Sequence, residues 1–424
     1  MVFKKTCALI LTVLMLVGLC FGATGCSFLN IETDFVTKSD VQQMLNNSMG
    51  GNVTVEGGDD YNITINGVEQ GKASAGKALL SAVSIRCVFK TASYGTSSYP
   101  GIISGKDKTS AGSGVIYKLD KEKGDAYIIT NYHVVYYNQA KTENGISDDI
   151  TVYLYGQESS DYAIPATYVG GSMNYDLAVL KVSGSRILAQ SNAHEVSFAD
   201  SDNVGVLDQA IAVGNPGALG ISATLGYINV DSEYIKMEGA DGSTEIQLRV
   251  MRMDTAVNGG NSGGGLFNNK GELIGIVNAK LTDSENMSYA IPSNFVKSVA
   301  DNILYYCDGK TNKNVYRCML GITVSASKLY TEYDEKTGSV IKREVVSVAD
   351  VSVGSLAYGT VKVGDTITSI TVDGVKKSVN RLHSVTDSML DARVGSTVVI
   401  TVVRDGKTVD LTIKITQNSL TKVE

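Results

Sequence analysis

The sequence predicts a mainly β protein in which two six-stranded barrels are followed by a small α+β domain. Its 44 glycines, together with many Val, Ile, Thr and Tyr residues, favour strands joined by tight turns. Short alternating apolar segments fall into two successive groups of six, which is the pattern of paired barrels. At 424 residues the chain is long enough for two or three domains.

Residues 1–25 form a predicted export signal. Lys4 and Lys5 give it a positive start, and the apolar run from Cys7 to Phe21 is too short to span a membrane comfortably. Small residues then precede Cys26, which resembles the bacterial lipoprotein signal, in which that cysteine is lipidated. An ordinary signal peptide, cut a few residues earlier, is the alternative. Both predict export, and lipidation predicts anchoring on the extracytoplasmic face of the bacterial cell membrane.

Residues 26–77 form a predicted N-terminal arm and linker. Two short alternating segments, Val53 to Val55 and Ile63 to Ile65, predict a hairpin. Ser39 to Met49 has one helical face that Ser39 is suited to cap, and Gly71 to Lys77 is typical of a linker. We expect the arm to space the following domain from the membrane. A role in joining subunits is the alternative.

Residues 78–307 carry the two sets of predicted strands. The first set comprises Val83–Phe89, Gly112–Tyr117, Ala126–Thr130, Ile150–Tyr155, Ala163–Val169 and Leu177–Val182. The second set comprises Gln209–Val213, Ser222–Val230, Glu245–Met253, Ser262–Phe267, Glu272–Asn278 and Met287–Ile291. A polar loop, Asn138 to Asp149, interrupts the first set, and a predicted helix over Asn294 to Tyr306 closes the domain.

A polar joint at residues 308–314 precedes the second predicted domain, residues 315–418. Five alternating segments predict its strands: Leu320–Val324, Glu344–Val348, Thr366–Val372, Thr397–Arg404 and Thr408–Ile415. Asn380 to Ala392 predicts one helix, with Leu382, Val385 and Met389 facing inward. The alternation of strands with a single helix makes this an α+β domain.

Charge and cysteine content exclude several classes of protein. The net charge is −7, and it becomes −9 once a leader containing Lys4 and Lys5 is removed. Basic residues form no stripe or run, which argues against nucleic-acid binding. Beyond Cys26, only Cys87, Cys307 and Cys318 remain, without the spacing of a metal site or a disulfide framework, although Cys307 and Cys318 leave one pairing open. We expect neither a metal nor a cofactor.

The stretch from Asn258 to Leu266 places Ser262 among five glycines. Glycine adopts positive φ at little cost and lets other groups approach the backbone closely. The serine is therefore suited to a tight turn whose flanking N–H groups point at a developing negative charge, as acyl transfer requires. A flexible Gly/Ser loop is the alternative, and the presence of a base and an orienting acid decides between the two.

The chain offers one base and one acid in suitable surroundings. Of its three histidines, His133 ends an apolar strand, whereas His194 lies in a polar loop and His383 on the predicted helix of the second domain. Asp176 directly precedes an apolar strand, where it is either a turn former or the carboxylate that holds an imidazole in its useful tautomer. The order His, Asp, Ser over two strand sets is that of chymotrypsin-type enzymes.

The segments TNYHVV, NYDLAVLKV, AVGNPGALG and NGGNSGGGL, in that order and followed by a second domain, resemble the HtrA (DegP/DegS) family of serine proteases. The resemblance covers roughly residues 78–418 and implies a chymotrypsin-like protease domain. It makes His133 the general base, Asp176 its orienting partner and Ser262 the nucleophile. It assigns the oxyanion hole to the backbone N–H groups of Gly260 and Ser262, with Asn261 assisting.

The resemblance also implies a substrate pocket with Ala256 at its floor and with Asn278 and Ala279 along its wall. Because Ala256 is uncharged, we expect cleavage after small or medium apolar residues rather than after Lys or Arg. The family also has a regulated loop next to the active site, which begins here at Val213-Gly214-Asn215-Pro216.

Two departures from the family pattern lie beside Ser262. The family often has Asn-Pro-Gly-Asn-Ser-Gly-Gly-Pro-Leu, and here Gly259 and Gly265 replace both prolines. Losing proline raises the entropy of the unfolded chain and loosens a turn. We therefore expect an oxyanion loop that substrate or an effector must order, and a low basal activity.

The second domain resembles PDZ domains, which capture a terminal carboxylate with backbone N–H groups and add the peptide as a strand. The resemblance rests on Arg317-Cys318-Met319-Leu320-Gly321-Ile322 and on Val363-Gly364-Asp365-Thr366-Ile367. It assigns the groove to Met319, Leu320, Gly321, Ile322, Leu382 and Val385. We expect His383 to be a surface residue of the helix.

These features together predict an exported, membrane-anchored serine endopeptidase that acts on misfolded or signalling proteins and binds C-terminal peptides in its PDZ groove. The family resemblance implies a homotrimer. The alternative is a proteolytically weak chaperone or peptide-binding scaffold that uses the same fold.

Overall fold

The structure is a computed structural model that describes residues 53–56, 62–91, 107–142, 144–280, 287–307, 309, 311–335 and 338–423. The predicted export signal, the lipidation site Cys26 and the predicted helix over Ser39 to Met49 lie outside the described residues. In the part of the chain that the structure describes, no helix is both long and apolar enough to cross a membrane.

The arm contains the predicted hairpin. Strands β1 (Val53–Glu56) and β2 (Asn62–Ile65) pair antiparallel, whereas residues 57–61 between them lie outside the described residues. Helix α1 (Asn66–Ser81) follows and includes Gly71 to Lys77, so the prediction of a linker there is wrong. The good helix formers of its second half and the burial of Ala78 in the core outweigh the three glycines of the helix.

The first barrel contains all six strands predicted for it. They are β3 (Ala82–Phe89), β4 (Lys108–Asp120), β5 (Asp125–Thr130), β6 (Asp149–Leu154), β7 (Ile164–Ser172) and β8 (Leu177–Val182). They close in the order β3-β4-β5-β8-β7-β6 around buried aliphatic side chains such as Ile85, Ile128 and Leu180. The one-turn helix α2 (Tyr132–Val135) follows β5, and the short helix α3 (Arg186–Gln190) follows β8.

The second barrel closes in the order β10-β11-β14-β13-β12-β9. Its strands are β9 (Gln209–Gly214), β10 (Ser222–Glu238), β11 (Glu245–Met253), β12 (Gly265–Phe267), β13 (Leu273–Lys280) and β14 (Ser288–Pro292). The strand that we predicted from Ser262 begins only at Gly265. Gly260 and Gly263 have φ values of 101° and 83°, which no extended strand accommodates, so Ser262 is left in a turn.

Helix α4 (Ser293–Tyr306) packs Val296, Val299 and Ile303 into a core that both barrels share. That core includes Val115 of the first barrel and Phe267 of the second. Because the two barrels bury side chains against each other, loops from both meet along their junction. The paired barrels confirm the predicted chymotrypsin-like architecture.

The C-terminal domain is a small α+β unit, as predicted. Its elements are β15 (Val315–Cys318), β16 (Ile322–Asp334), β17 (Ser339–Val351), β18 (Thr366–Val372), β19 (Val375–Ser378), α5 (Leu382–Ser388), β20 (Thr397–Arg404), β21 (Lys407–Lys414) and β22 (Leu420–Val423). The main sheet has the order β16-β17-β18-β20-β21, with β19 paired to β18. Strands β15 and β22 form a separate pair.

Five elements of this domain differ from the prediction. Strands β16 and β17 form a hairpin that extends well beyond Val324 and starts before Glu344, because pairing continues where the side chains become polar or exposed. Helix α5 ends at Ser388 instead of Ala392, although the following Met389 and Leu390 are buried. Strands β15 and β22 pair residues far apart in sequence, which local alternation does not reveal.

Candidate active site

His133 lies on α2 and meets Asp176 in the turn before β8. The Nδ1 atom of His133 is 2.7 Å from Oδ2 of Asp176, and the backbone N–H of His133 donates to Oδ1 at 2.9 Å. One carboxylate therefore fixes both the ring and the backbone of the same residue. The His133 side chain is 35% exposed and that of Asp176 is 4% exposed, so the imidazole reaches solvent while its partner does not.

The surroundings of His133 favour its protonated form. Burial lowers the pKa of His133, but the negative charge of Asp176 and its hydrogen bond together outweigh burial and raise the pKa above the ordinary value. With Nδ1 turned toward the carboxylate, the Nε2 atom of the neutral ring is left to accept a proton. This is the arrangement that a general base requires.

Asp176 is held in an unusual conformation by several donors. Its φ of 46° is uncommon for a residue with a side chain. Its backbone oxygen accepts a hydrogen bond from Nδ2 of Asn131 at 2.8 Å, and its Oδ2 accepts another from Nδ2 of Asn278 at 2.5 Å. The family resemblance predicts Asn278 to line the substrate pocket. Its second role is to donate a hydrogen bond to Asp176. The one sign of this role in the sequence is that Asn278 is a polar residue at the end of an apolar run.

Ser262 lies beside the same asparagine. Its Oγ donates to the backbone oxygen of Asn278 at 3.0 Å, and no hydrogen bond joins it to His133 among the described residues. Asn278 is 1% exposed and thus contacts the serine through its carbonyl and Asp176 through its amide. The structure brings His133 and Asp176 into direct contact and leaves the Ser262 hydroxyl on a competing acceptor.

The turn that carries Ser262 is held by hydrogen bonds to four successive carbonyl groups. These are Gly217 N–H to Gly259 O (2.7 Å), Ser113 Oγ to Gly260 O (2.7 Å), Gly264 N–H to Asn261 O (2.9 Å) and Ser113 N–H to Ser262 O (2.8 Å). The turn is therefore tied down, in contrast to the loose loop that its glycines led us to expect.

The N–H groups of Gly260 and Ser262 donate to no protein acceptor in the part of the chain that the structure describes. Since the C=O and N–H of a trans peptide point in opposite directions, the bonds on the carbonyls of Gly259 and Asn261 fix where these two N–H groups point. Asn261 differs, because its own N–H donates to the carbonyl of Asn258 at 3.0 Å. We therefore remove Asn261 from the expected oxyanion hole.

The two glycines that replace family prolines have different surroundings. A Cβ atom on Gly265 would lie 2.3 Å from Cε2 of Phe267, so the phenyl ring occupies the space of any side chain there. A Cβ atom on Gly259 would meet nothing within 4 Å. Glycine is thus required by packing at position 265 and not at position 259.

The expected pocket residues are not equivalent. Ala256 is exposed, and its backbone oxygen accepts a hydrogen bond from Oγ1 of Thr224 at 2.8 Å. Ala279 lies on β13 opposite Tyr289, and its side chain falls outside what the structure describes. Of the three, Asn278 alone forms a hydrogen bond with Ser262 in the described part of the chain.

The expected PDZ groove lies between β16 and α5. Leu320 and Val385 are buried, whereas Met319 is 45% exposed. The N–H of Met319 donates to the backbone oxygen of Ser419 at 2.7 Å, so Met319 supplies no free N–H for a carboxylate. The carbonyls of Leu320 and Gly321 accept hydrogen bonds from within the domain at 3.0 and 2.9 Å. Ile322 begins β16, and Leu382 begins α5.

His383 is buried, at 8% exposed, so our expectation of a surface residue is wrong. Helix α5 turns it away from solvent and toward the protease domain, where its Nε2 lies 3.9 Å from Oδ1 of Asp202. Burial, together with the positive charges of Arg249 and Arg381, lowers the pKa of His383 to about 2. The distant and half-exposed Asp202 carboxylate is too weak a partner to reverse this effect.

Two family profiles match the chain. One, described as a trypsin-like peptidase domain, matches residues 112–276, and the other, described as a PDZ domain, matches residues 318–415. The chain is therefore a trypsin-like serine endopeptidase followed by a PDZ domain.

Individual relatives identify the family. A serine protease Do-like HtrA of Lactococcus lactis subsp. cremoris is 32% identical over 334 residues, which cover 74% of this chain and 73% of the relative. The periplasmic serine endoprotease DegP of Escherichia coli is 32% identical over 321 residues, or 74% of this chain and 58% of DegP. A solved HtrA-type protease, AlgW with tripeptide, is 25% identical with a TM-score of 0.48 and covers 81% of this chain and 96% of that one. The identity and coverage of the Lactococcus lactis relative show that the chain belongs to the HtrA family of serine proteases.

Proposed function

We propose that this serine endopeptidase uses Ser262 as nucleophile, His133 as general base and Asp176 as the residue that orients His133. The observation that carries the proposal is the pair of hydrogen bonds, at 2.7 and 2.9 Å, by which one buried carboxylate fixes the imidazole and its backbone. A carboxylate in this position holds the useful tautomer and stabilises the imidazolium that forms during the reaction.

The proposed reaction proceeds through an acyl-enzyme. Ser262 Oγ attacks the scissile carbonyl carbon while its proton passes to Nε2 of His133, and the oxyanion accepts hydrogen bonds from the N–H groups of Gly260 and Ser262. The C–N bond then breaks as His133 returns the proton to the leaving amine. Water, deprotonated by His133, then attacks the ester carbon. The C–Oγ bond breaks as His133 passes this proton to Oγ, which releases the acyl group as a carboxylic acid and restores Ser262.

The resting position of the serine hydroxyl supports a low basal activity. Before attack, Oγ must leave the carbonyl of Asn278, at 3.0 Å, and turn toward His133. The lost hydrogen bond contributes about 1 kcal/mol. Since the carbonyl groups of the surrounding turn are already hydrogen-bonded, the barrier to activity lies with this hydroxyl and its neighbours rather than with a disordered loop.

The proposed substrates are misfolded or signalling proteins cut after small or medium apolar residues. The uncharged and exposed Ala256 supports this preference, because nothing there pairs with the charge of Lys or Arg. C-terminal peptides are proposed to bind beside β16 as an added strand, with side chains over Leu382 and Val385. Competition between a peptide ending in a free carboxylate and the same peptide amidated tests the second point, because equal binding would contradict it.

We place the protein outside the cytoplasm, anchored by lipid on Cys26 and spaced from the membrane by residues 27–77. The signal-like residues 1–25 support export, and DegP, one of the relatives, is named periplasmic. Cys26→Ser should move the protein from the membrane to the soluble fraction. We further propose a homotrimer from the family resemblance, and light scattering of the mature protein that gave a monomer mass would contradict it.

Ser262→Ala tests the nucleophile. This variant should lose both labelling by a fluorophosphonate probe and cleavage of an unfolded protein, whereas Ser160→Ala, a change at an exposed serine of a surface turn, should keep both. Full proteolysis by Ser262→Ala would exclude the assignment. A wild-type protein that suppresses aggregation but neither labels nor cleaves, even with C-terminal peptides added, would favour the chaperone or scaffold function instead.

A further inference from the structure

Ser113, on β4, contacts three other parts of the candidate active site, and the proposed reaction makes no use of it. It is fully buried, and its N–H donates to the carbonyl of Ser262 at 2.8 Å. Its Oγ donates to the carbonyl of Gly260 at 2.7 Å and accepts from the N–H of Asn215 at 2.8 Å. A hydroxyl has one proton to donate, so this pair of bonds fixes its direction.

The Gly260 carbonyl that Ser113 holds borders the proposed oxyanion hole. Gly260 has a φ of 101°, a region open mainly to glycine, and its two flanking peptides would rotate freely without restraints. One flanking peptide is held by the N–H of Gly217 on Gly259 O, and the other is held by the hydroxyl of Ser113 on Gly260 O. Only the second of these restraints comes from a side chain.

We propose that Ser113 is a positioning residue for peptide hydrolysis. Its hydroxyl holds the Gly260–Asn261 peptide, which joins the two peptides that carry the Gly260 and Ser262 N–H groups, so that both N–H groups face the oxyanion. This inference rests on the proposed role of Ser262 as nucleophile. The Ser113 side chain touches neither the substrate nor the reacting atoms. It acts through the backbone on which the transition state depends, because an oxyanion donor is effective only at its correct position.

Through Asn215 the same hydroxyl couples the oxyanion turn to the adjacent loop of residues 215–220. The side chain of Asn215 donates to Oγ of Ser84 at 2.6 Å and accepts from the N–H of Gly220 at 2.7 Å. A Cβ on Gly260 would lie only 2.2 Å from the backbone oxygen of Asn215, so the two segments are in close contact. A shift of Asn215 would therefore remove the partner that orients the Ser113 hydroxyl.

Ser113→Ala removes this hydroxyl and keeps the backbone bond to Ser262. Loss of an oxyanion donor costs about 100- to 1000-fold in kcat, and a displaced donor should cost about 10- to 100-fold. We expect this loss in kcat with KM changed less than twofold. The inhibition constant of a peptide aldehyde, which forms a tetrahedral adduct with the enzyme, should rise by the same factor as kcat/KM falls.

The matched control is Ser147→Ala, which removes another buried hydroxyl bonded to a backbone carbonyl, that of Val88 at 2.8 Å. It should leave kcat and aldehyde binding unchanged. The proposal fails if Ser113→Ala keeps the wild-type kcat, or if kcat falls while aldehyde affinity stays constant. If Ser113→Ala does not fold, the same measurements are made on Ser113→Cys, whose thiol is a much weaker donor.

Different results would contradict the two proposals. Activity in Ser262→Ala would remove the proposed nucleophile whatever Ser113 does. An inactive Ser262→Ala together with a fully active Ser113→Ala would leave the nucleophile in place and remove only the positioning role.

Discussion

Asn278 connects the two halves of the candidate site through a single residue. Its side-chain amide donates to Asp176, and its carbonyl accepts the hydroxyl of Ser262. The bond to Asp176 is made away from water, where a missing partner for a charge costs more than at the surface. The amide therefore supports the carboxylate of Asp176, while the carbonyl restrains the hydroxyl of Ser262, the proposed nucleophile.

Replacing Asn278 separates these two effects. Asn278→Ala removes the amide and keeps the carbonyl, and a hydrogen bond to a charged group contributes about 1.5–3 kcal/mol. We expect kcat to fall about 10- to 100-fold as Asp176 loses its restraint. In Asn278→Asp, kcat should fall further, because this change sets a second carboxylate against that of Asp176. Steady-state kinetics with one peptide measures both, and wild-type activity in the aspartate variant would contradict this role.

The raised pKa of His133 determines how activity depends on pH. As the proposed general base, His133 must be neutral, so kcat/KM should fall as pH drops through a value above the ordinary 6.5 of histidine. The stability of the fold depends on pH in the opposite direction, because the native state binds the proton of His133 more tightly than the unfolded chain does. That contribution is complete below about pH 6.5 and is lost as pH rises through the native pKa. A pH profile of kcat/KM with its acid limb below 6.5 would contradict this expectation.

At the scale of elements, the strands of both barrels could be predicted because each is a short, largely apolar segment that packs against a core. The apolar runs of β5 and β8 located the ends at which His133 and Asp176 lie. The length of β16 could not be predicted, because its second half lacks the alternation of apolar and polar residues and forms a strand by pairing with β17.

The sequence predicted which residues form the candidate site, but it did not predict the hydrogen bonds that hold them. Motifs named Ser262, His133 and Asp176, but the contacts of Ser113 and Asn278 join segments far apart in sequence. Similarly, the glycines suggested a loose turn, whereas the bonds that hold it come from β4 and from the loop after β9. Such restraints exist only in the folded chain.

Strand β12 should respond differently to alanine at the two glycines near it. Gly265→Ala places a methyl group against Phe267, and overpacking of this kind costs about 1–3 kcal/mol. Gly259→Ala meets open space and should change stability by less than about 1 kcal/mol. Urea unfolding measures both. Phe267→Leu should recover part of the loss in the Gly265→Ala background, and equal stability of the two single variants would contradict this packing.

At the scale of the whole chain, helix α5 contacts the protease domain as well as its own sheet. Asp387 accepts a hydrogen bond from Nη2 of Arg249 on β11 at 2.6 Å. Arg381, just before α5, donates to Asp231 of β10 at 2.9 Å. Asn302 of α4 donates to the carbonyl of Leu390 at 2.9 Å. The helix beside the proposed PDZ groove is therefore part of the joint between the two domains.

Acid should weaken this joint through His383. The groups that face it are Asp202 of the protease domain, Arg249 on β11 and Arg381 before α5. Because its native pKa is about 2, the ring stays neutral when docked, whereas an undocked or unfolded ring gains a proton below about pH 6.5. Stability should thus fall as pH drops below 6.5, by about 2 kcal/mol at pH 5.

The matched variant for this effect is His383→Leu, which keeps a buried apolar group and cannot titrate. Thermal unfolding of both proteins between pH 7.5 and 5 should show a smaller loss in the variant. Identical pH dependence of the two would exclude His383 as the origin.

Strands β15 and β22 have a mechanical consequence. Val315 pairs with Val423, so the chain enters and leaves the C-terminal domain at the same end of an antiparallel pair. The N–H of Gly171 in the first barrel donates to the carbonyl of Lys313 at 3.1 Å. This bond attaches the segment just before β15 to the protease domain. A pulling force between residues 314 and 423 therefore breaks the backbone hydrogen bonds of this strand pair one after another. We expect β15 and β22 to separate at low force, before the main sheet of the domain bears the load.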